Sequence, residues 1–371
     1  MRGEFILNNM NRQHVGRKIL RISTEQVVPG LITACDIYSK NDQLVLAKNV
    51  KLEPNMIAKI MFYAVESIYV YEPEEEPDKK KSYYEKIQES DEFTSFLSTY
   101  KEVLTGINEC FQRTMQLKEG LDETALVQEI KKILQKGKDR YHLFELLYCV
   151  NEHDNMTLVH SINVASICSM FGQWLHMPER EIDTLILCGL LHDVGKILIP
   201  KEILHKPDKL TPEEYIIVKE HPLYGYRLLS EQKIDSRICL AALEHHERYD
   251  GTGYPNKKFG NDIHPYSMIT AIADVFDAMT SKRVYRDAIC PFTVLEMFES
   301  EGKIQYDFNV SMPLMERIAE IYINQMVRLS NHMKGEVIML NRQSLSKPVI
   351  LVGQDFVDLS KHREMKIEAV I

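Results

Sequence analysis

Five short segments of the chain carry histidine or aspartate among residues that are otherwise largely apolar. Their polar residues are His160, His192 with Asp193, His221, the pair His245 and His246, and Asp274. A buried imidazole or carboxylate costs free energy unless a partner satisfies it, and a metal ion is one such partner. Imidazole and carboxylate ligands suit iron, manganese or zinc, and the lack of cysteine ligands argues against a structural zinc knot. The residue types therefore predict a metal site.

The adjacent pair His192 and Asp193 lies in the string LLHDVGK, at the end of an apolar run. A carboxylate can bridge two cations while the imidazole nitrogen fills a separate position. Two cations that share a carboxylate could hold a hydroxide, which is a nucleophile at neutral pH, and could clamp the oxygens of a phosphate. The pair alone could equally be a helix-end cap or a surface pair, and His160 alone could be a hydrogen-bonded core residue. Five unrelated accidents of this kind are less plausible than one common site.

Helices are predicted to position these residues. The string TPEE at 211–214 predicts a capping box with proline at the first helical position, and His221 precedes a proline, as at a helix break. His245 and His246 come late in a helix that starts near Asp235. Neighbouring helical residues point about 100° apart, so the two histidines can reach different coordination positions or different metals.

The rest of the chain divides by composition. Residues 1–71 are predicted to be mainly extended, with one short helix at 54–64. The string EPEEEPDKKK at 72–81 cannot bury a face and marks a domain boundary. Residues 82–135 show the three- and four-residue spacing of amphipathic helices, whose apolar stripe could form a dimer seam or pack on its own catalytic domain. After Asn331, strand-like runs alternate with polar turns.

The bulk composition narrows the class of protein. The 371 residues carry a formal net charge of −9, which disfavours binding of long nucleic acid but leaves a small anionic ligand open. Seven cysteines are scattered without a CxxC pair, which predicts reduced thiols and a cytoplasmic protein. No stretch approaches the roughly 20 apolar residues that span a bilayer, so no membrane association is expected.

Four strings resemble the HD superfamily of metal phosphohydrolases, and more closely its HD-GYP branch. They are HDVGKILIP at 192–200, ILHKPDKLTPEE at 203–214, HHERYDGTGYP at 245–255 and IADVFDAMTSKRVYR at 272–286. The resemblance covers about residues 136–330. It implies an all-helical domain with a two- or three-metal centre that hydrolyses cyclic di-GMP.

The resemblance also implies roles for individual residues. The metal ligands would be His160, His192, Asp193, His221, His245, His246 and Asp274, with Asp193 as the bridge and a catalytic residue. Lys196 would act in catalysis and reach the phosphate or the leaving oxygen. Arg283 and Arg286 match positions that contact phosphates, although two solvated cations past a helix end are the plain alternative. Tyr254 lies in the GYP loop, which would face the substrate or a partner such as a diguanylate cyclase.

Two positions depart from the family pattern. Met156 stands four residues before His160, where some members have a glutamate that supports a third metal. We therefore expect two divalent ions, iron or manganese. Met268 stands where an arginine is common, which puts the affinity for substrate in doubt.

The expected fold class is mainly α, an HD-type helical bundle with a small N-terminal α/β regulatory region and a short strand-rich C-terminal tail. The expected domains are the regulatory region at 1–71, a charged linker and connecting helices at 72–135, the HD-GYP domain at 136–330 and the C-terminal extension at 331–371. The expected function is hydrolysis of cyclic di-GMP to linear pGpG and onward to GMP. The alternatives are another cyclic dinucleotide such as cyclic GMP-AMP, a non-catalytic sensor or adaptor for cyclic di-GMP, and a helical scaffold with buried polar pairs.

Overall fold

The computed structural model describes most of the chain. The described residues are 19–39, 43–63, 65–71, 87–117, 120–150, 156–204, 206, 210–281, 289–362 and 364–371. The charged string at 72–81 and the predicted phosphate contacts Arg283 and Arg286 lie outside them.

The described residues form two compact units, the first from 19 to 71 and the second from 87 to 371. The first unit contains strands β1 (Ile19–Ser23), β2 (Ile37–Tyr38), β3 (Leu44–Leu46), helix α1 (Pro54–Phe62) and strand β4 (Ser67–Tyr71). Strand β1 pairs antiparallel with β4, and β2 pairs antiparallel with β3. Every residue of β4 except Tyr69 is buried, as are four residues of α1, which gives this small α/β unit its own core.

Helices dominate the second unit. They are α2 (Asp91–Leu117), α3 (Glu123–Leu134), α4 (Arg140–Cys149), α5 (Met156–Trp174), α6 (Glu179–Leu191), α7 (Lys201–Leu204), α8 (Pro212–Val218), α9 (His221–Glu231), α10 (Ser236–Glu244), α11 (Pro265–Thr280), α12 (Pro291–Met297), α13 (Lys303–Gln305) and α14 (Phe308–Ile321). A 3₁₀ turn, Val194–Leu198, follows α6. The fold class is therefore mainly α, as the sequence predicts.

Helix α5 and the C-terminal half of α6 form the centre of this unit, because nearly all of their residues are buried. They approach so closely that a Cβ at Gly189 of α6 would lie 2.8 Å from the backbone of Ala165 in α5. Helix α10 packs against α6 and α11, and α11 packs against both α5 and α6. The polar residues of α5, α6 and α11 therefore face each other in a core from which water is excluded.

The apolar stripe of α2 is buried within the second unit itself. Phe96, Tyr100, Val103 and Ile107 are at most 2% exposed. Of the two alternatives for this stripe, packing on its own unit is the one observed.

The C-terminal residues form a five-stranded antiparallel sheet in the order β8-β7-β6-β5-β9. Its strands are β5 (Met326–Leu329), β6 (Lys334–Met339), β7 (Val349–Val352), β8 (Asp355–Asp358) and β9 (Ile367–Val370). Lys366 binds Glu296 of α12 at 2.9 Å, and Glu299 accepts hydrogen bonds from Leu345 and Ser346. These contacts join the sheet to the helical bundle.

Local predictions can be compared with the structure directly. The predicted helix at 54–64 is observed as Pro54–Phe62, and the capping box is present, with Thr211 accepting from the backbone of Glu214. All seven cysteines are free thiols. Within the described ranges, none of the helices combines the length and the apolarity that a bilayer crossing requires.

Candidate metal centre

The five polar segments meet where several helices of the second unit end. His192 and Asp193 directly follow α6, and His221 is the first residue of α9. His245 and His246 follow α10. His160 lies one turn into α5 and Asp274 lies within α11, so that segments more than one hundred residues apart face one another.

The seven side chains fall into two adjoining sets. One set contains Asp193, His221, His245 and His246, and the other contains His160, His192 and Asp274. Within each set, the potential ligand atoms lie within 4.8 Å of one another. All are buried except His246, which is half-buried.

The Asp193 carboxylate lies between the two sets. Its Oδ1 atom is 3.2 Å from Nε2 of His221 and 3.6 Å from Nε2 of His245. Its Oδ2 atom is 3.3 Å from Nε2 of His192, which belongs to the other set. Each oxygen therefore faces a different set, which is the geometry that a bridging carboxylate needs.

Three histidine rings are oriented by the backbone of the preceding helical turn. The Nδ1 atoms of His192, His221 and His245 lie 2.7, 2.7 and 3.0 Å from the carbonyl oxygens of Gly189, Val218 and Ala242. A carbonyl oxygen accepts only from a protonated nitrogen, so Nδ1 carries the hydrogen in each ring. Each Nε2 then has a free lone pair directed into the site, which is the arrangement of a metal-ligating histidine.

Buried polar atoms without partners indicate that a cation fits this site. His192 Nε2 and Asp193 Oδ1 have no hydrogen-bond partner among the described residues. The Nε2 atoms of His221 and His245 lie only 3.2 Å apart, although both rings carry their hydrogen on Nδ1. Two lone pairs at this separation repel each other unless a cation or proton lies between them, so the donor set matches the chemistry of a divalent metal.

The pKa shifts in the first set also favour binding of a cation. Burial lowers the pKa of His245 to about 4 and lowers the pKa of His246 well below its ordinary value. Burial raises the pKa of Asp193, but the Lys196 ammonium, followed by the neighbouring histidines, outweighs burial and holds that pKa well below its usual range. At neutral pH the imidazoles of His245 and His246 are therefore uncharged and the Asp193 carboxylate is ionised, as a cation requires.

A close backbone contact holds His221 beside Asp193. A Cβ at Gly195 would lie 2.0 Å from the carbonyl oxygen of His221 and 2.5 Å from the nitrogen of Gly225. Only glycine permits this approach between the 3₁₀ turn and helix α9. The short string from His192 to Gly195 thus supplies two polar side chains of the site. Its glycine also forms the backbone surface against which His221 packs.

The loop that carries Tyr254 closes over His246. The two rings stack with their centroids 4.7 Å apart and their planes at 26°. The Lys219 ammonium lies 4.7 Å from the Tyr254 ring centroid. The buried Glu247 carboxylate accepts from the backbone nitrogens of Asn256 and Lys258, at 2.7 and 3.1 Å, and so holds the loop from below.

The other residues singled out by sequence are distributed unevenly. Lys196 lies 2.6 Å from Asp193 Oδ2, and its side chain is 25% exposed, so it lies at the edge of the site. Met156 is half-buried as the first residue of α5, and Met268 is buried in α11. Arg283 and Arg286 lie outside the described residues, so their predicted contacts have no structural description.

Sequence reasoning missed Asp277, which orients the fourth ring. His160 Nδ1 lies 2.6 Å from Asp277 Oδ2, and His160 Nε2 lies 2.9 Å from Asp274 Oδ1. Burial lowers the pKa of His160, but these two carboxylates outweigh burial and raise that pKa to about 9. The spacing could have identified Asp277, since residues three apart share one face of an apolar helix.

The second unit contains a segment that matches a known protein family. The family model described as "HD domain" matches residues 131–310, just under half of the chain. A structural relative, Bd1817, a HDG"Y"P protein from Bdellovibrio bacteriovorus, is 15% identical, with a TM-score of 0.49 over 81% of this chain and 99% of that one.

Two curated relatives are similar to part of this chain. The 3'3'-cGAMP-specific phosphodiesterase 2 of Vibrio cholerae is 41% identical over 39% of this chain and 28% of its own length. The cyclic di-GMP phosphodiesterase PA4108 of Pseudomonas aeruginosa is 32% identical over 54% of this chain and 48% of its own length. The chain thus spans less than half the length of either relative.

Proposed function

We propose that this protein is a metal-dependent phosphodiesterase that hydrolyses cyclic di-GMP, and the match of residues 131–310 to the HD domain model supports this proposal. The observation that carries the proposal is the Asp193 carboxylate, whose two oxygens face two separate sets of histidine and aspartate ligands. A binuclear centre with one shared carboxylate is suited to in-line displacement at a phosphate, where the attacking and leaving oxygens both need stabilisation.

We assign the ligands by set. His221, His245 and His246 would hold one ion with Asp193, and His160, His192 and Asp274 would hold the other with the same carboxylate. When bound, two divalent ions clamp phosphoryl oxygens and make water a nucleophile at neutral pH. The absence of cysteine and the mixture of nitrogen and oxygen ligands favour iron or manganese.

The remaining residues of the site would bind and orient the substrate. Lys196 lies at the partly exposed edge, where its ammonium can contact the phosphate or neutralise the leaving oxygen. The half-buried Tyr254 ring can present a flat face to a purine, and the neighbouring Lys219 ammonium adds positive charge for a dinucleotide that carries two phosphates. These contacts supply orientation, and the histidine and aspartate sets supply the chemistry.

A second candidate substrate is 3',3'-cyclic GMP-AMP. It is favoured by the 41% identity to a phosphodiesterase named as specific for that compound. The two substrates differ in one purine, so the metal centre alone does not discriminate between them. The discriminating contacts would lie on the base-binding side of the site, near the loop of Tyr254.

The direct test is to purify the chain anaerobically, count its metals by elemental analysis and assay the same sample on both cyclic dinucleotides. We expect about two iron or manganese ions per chain and conversion of cyclic di-GMP to linear pGpG. The ratio of kcat/KM for the two compounds identifies the preferred substrate. Metal-loaded protein that leaves both compounds intact would contradict the proposal and favour a sensor of the dinucleotide. Protein without metal would favour a helical scaffold.

The Arg286→Ala protein provides an independent prediction about substrate binding. If Arg286 contacts a phosphate, its loss should raise KM by about ten- to one-hundredfold, since a hydrogen bond between charged groups contributes about 1.5–3 kcal/mol. The metal content should equal that of the wild type. Arg342→Ala, at an exposed arginine of the C-terminal sheet region, is the matched control. An unchanged KM would show that the arginine at 286 is merely solvated.

A further inference from the structure

His160 differs from His192, His221 and His245 in how its ring is held. Those three rings donate from Nδ1 to backbone carbonyls of the same turn, whereas His160 donates to the side chain of Asp277. A backbone anchor persists as long as the helix persists. A side-chain anchor must itself be oriented by its neighbours, as Asp277 is by hydrogen bonding to Ser281.

Asp277 is the end of a buried chain of hydrogen bonds that begins on helix α2. The Tyr100 hydroxyl lies 2.9 Å from Asn163 Oδ1, its nearer acceptor, and 3.1 Å from the carbonyl oxygen of Val159. Asn163 Nδ2 donates to Ser281 Oγ at 3.4 Å. Ser281 Oγ then donates to Asp277 Oδ1 at 2.5 Å. None of these four side chains belongs to a residue more than 8% exposed, so water does not compete for the bonds.

The hydrogen bonds run in one direction, from donor to acceptor toward Asp277. That direction determines which ring nitrogen of His160 carries a hydrogen. The donors of Asn163 and Ser281 both point toward the Asp277 carboxylate, and an ionised carboxylate accepts hydrogen bonds without donating any. His160 Nδ1 therefore carries a hydrogen, and Nε2, which lies 2.9 Å from Asp274 Oδ1, faces the site shared with His192 and Asp274. A carboxylate behind a histidine also raises the basicity of that ring toward a metal.

Tyr100 fixes the first link. Without its hydroxyl, the Asn163 amide could turn and present its oxygen to Ser281. The Ser281 hydroxyl would then donate to Asn163, and the Asp277 carboxylate would lose one of its donors and some of its fixed orientation. The orientation of the His160 ring in the metal centre therefore depends on the Tyr100 hydroxyl of α2.

We propose that Tyr100, acting through Asn163, Ser281 and Asp277, is a positioning residue for the ion held by His160, His192 and Asp274. This inference rests on the metal centre assigned under the proposed function. Tyr100 lies outside the 131–310 match, so the inference makes one of the two ions depend on a helix that is not part of the recognised HD domain.

The test measures metal affinity in the full chain, by titration with Mn²⁺ in competition with a chelator of known affinity. Asp277→Asn should weaken one of the two ions by about 10–100-fold. Tyr100→Phe should weaken the same ion by about two- to tenfold, as expected for one lost hydrogen bond. Anomalous diffraction from partly loaded crystals should show which ion is depleted, and we expect it beside His160.

Phe96→Leu is the control for packing. Phe96 lies one turn from Tyr100 on α2, and their ring centroids are 5.8 Å apart, but it has no place in the hydrogen-bond chain. This substitution should lower the melting temperature and leave the two affinities in their wild-type ratio. A Tyr100→Phe protein with both wild-type affinities would overturn the inference, as would a Phe96→Leu protein that lost the same ion. A wild-type chain that binds no Mn²⁺ would overturn the proposed function, and the inference with it.

Discussion

The Asp193→Ala protein should purify without its metals and without measurable turnover. Both oxygens of this carboxylate face ligand sets, so its removal takes one ligand from each ion and leaves the His192, His221 and His245 nitrogens facing one another across a gap. A bound ion contributes several kcal/mol to transition-state stabilisation, and each 1.36 kcal/mol is tenfold in rate. The rate should therefore fall by at least about a thousandfold.

Elemental analysis and a turnover assay on one preparation check this expectation. Asp355→Ala removes a carboxylate from an exposed position of strand β8 and should keep both the metals and the activity. Far-UV circular dichroism should show the helical content of the wild type in both proteins. If Asp193→Ala keeps full activity, Asp193 is not a ligand and the assignment of the centre is wrong.

Gly195→Ala should be far more damaging than its size suggests. The added methyl group would lie 2.0 Å from the carbonyl oxygen of His221, so helix α9 must move away from the 3₁₀ turn. Overpacking of this kind costs about 1–3 kcal/mol, and here the displaced backbone also carries a ligand. We expect a lower melting temperature together with weakened binding of the ion beside His221.

The same substitution at Gly106 is the matched control. Gly106 lies inside α2, where the nearest atom to a new methyl group would be the end of the Glu129 side chain at 3.4 Å. Alanine in place of glycine within a helix stabilises by about 0.5–1 kcal/mol. Thermal unfolding of both variants with and without Mn²⁺ separates the effects. A Gly195→Ala protein as stable as Gly106→Ala, and with undiminished metal binding, would refute the argument from close contact.

The sequence predicts the candidate metal ligands better than it predicts the residues that orient them. The histidine and aspartate segments can be recognised because each interrupts an apolar helix or its end, where a polar residue needs a reason. The helices can be recognised because of their spacing and caps, such as the capping box at Thr211. The extent of the domains, as the sequence divides them, stays a prediction.

Two features could not be predicted because they depend on distances between remote segments. The division of seven side chains into two sets follows from how α5, α6 and α11 pack, which no local pattern encodes. In the sequence, Tyr100 fits the apolar stripe of α2 through its aromatic ring alone. Nothing in the spacing indicates that its hydroxyl makes a buried hydrogen bond. Its polar partner, Asn163, lies on a different helix and is recognised only in the folded chain.

The backbone anchors of His192, His221 and His245 have a consequence for transferring this chemistry to other folds. Each ring is oriented by a carbonyl three residues earlier, so a histidine and its own preceding turn form a self-contained ligand. A designer could graft such a turn into an unrelated helical scaffold without importing any supporting side chain. His160 could not be transferred in this way, because its ring is oriented by the side chain of Asp277 on another helix rather than by its own preceding turn.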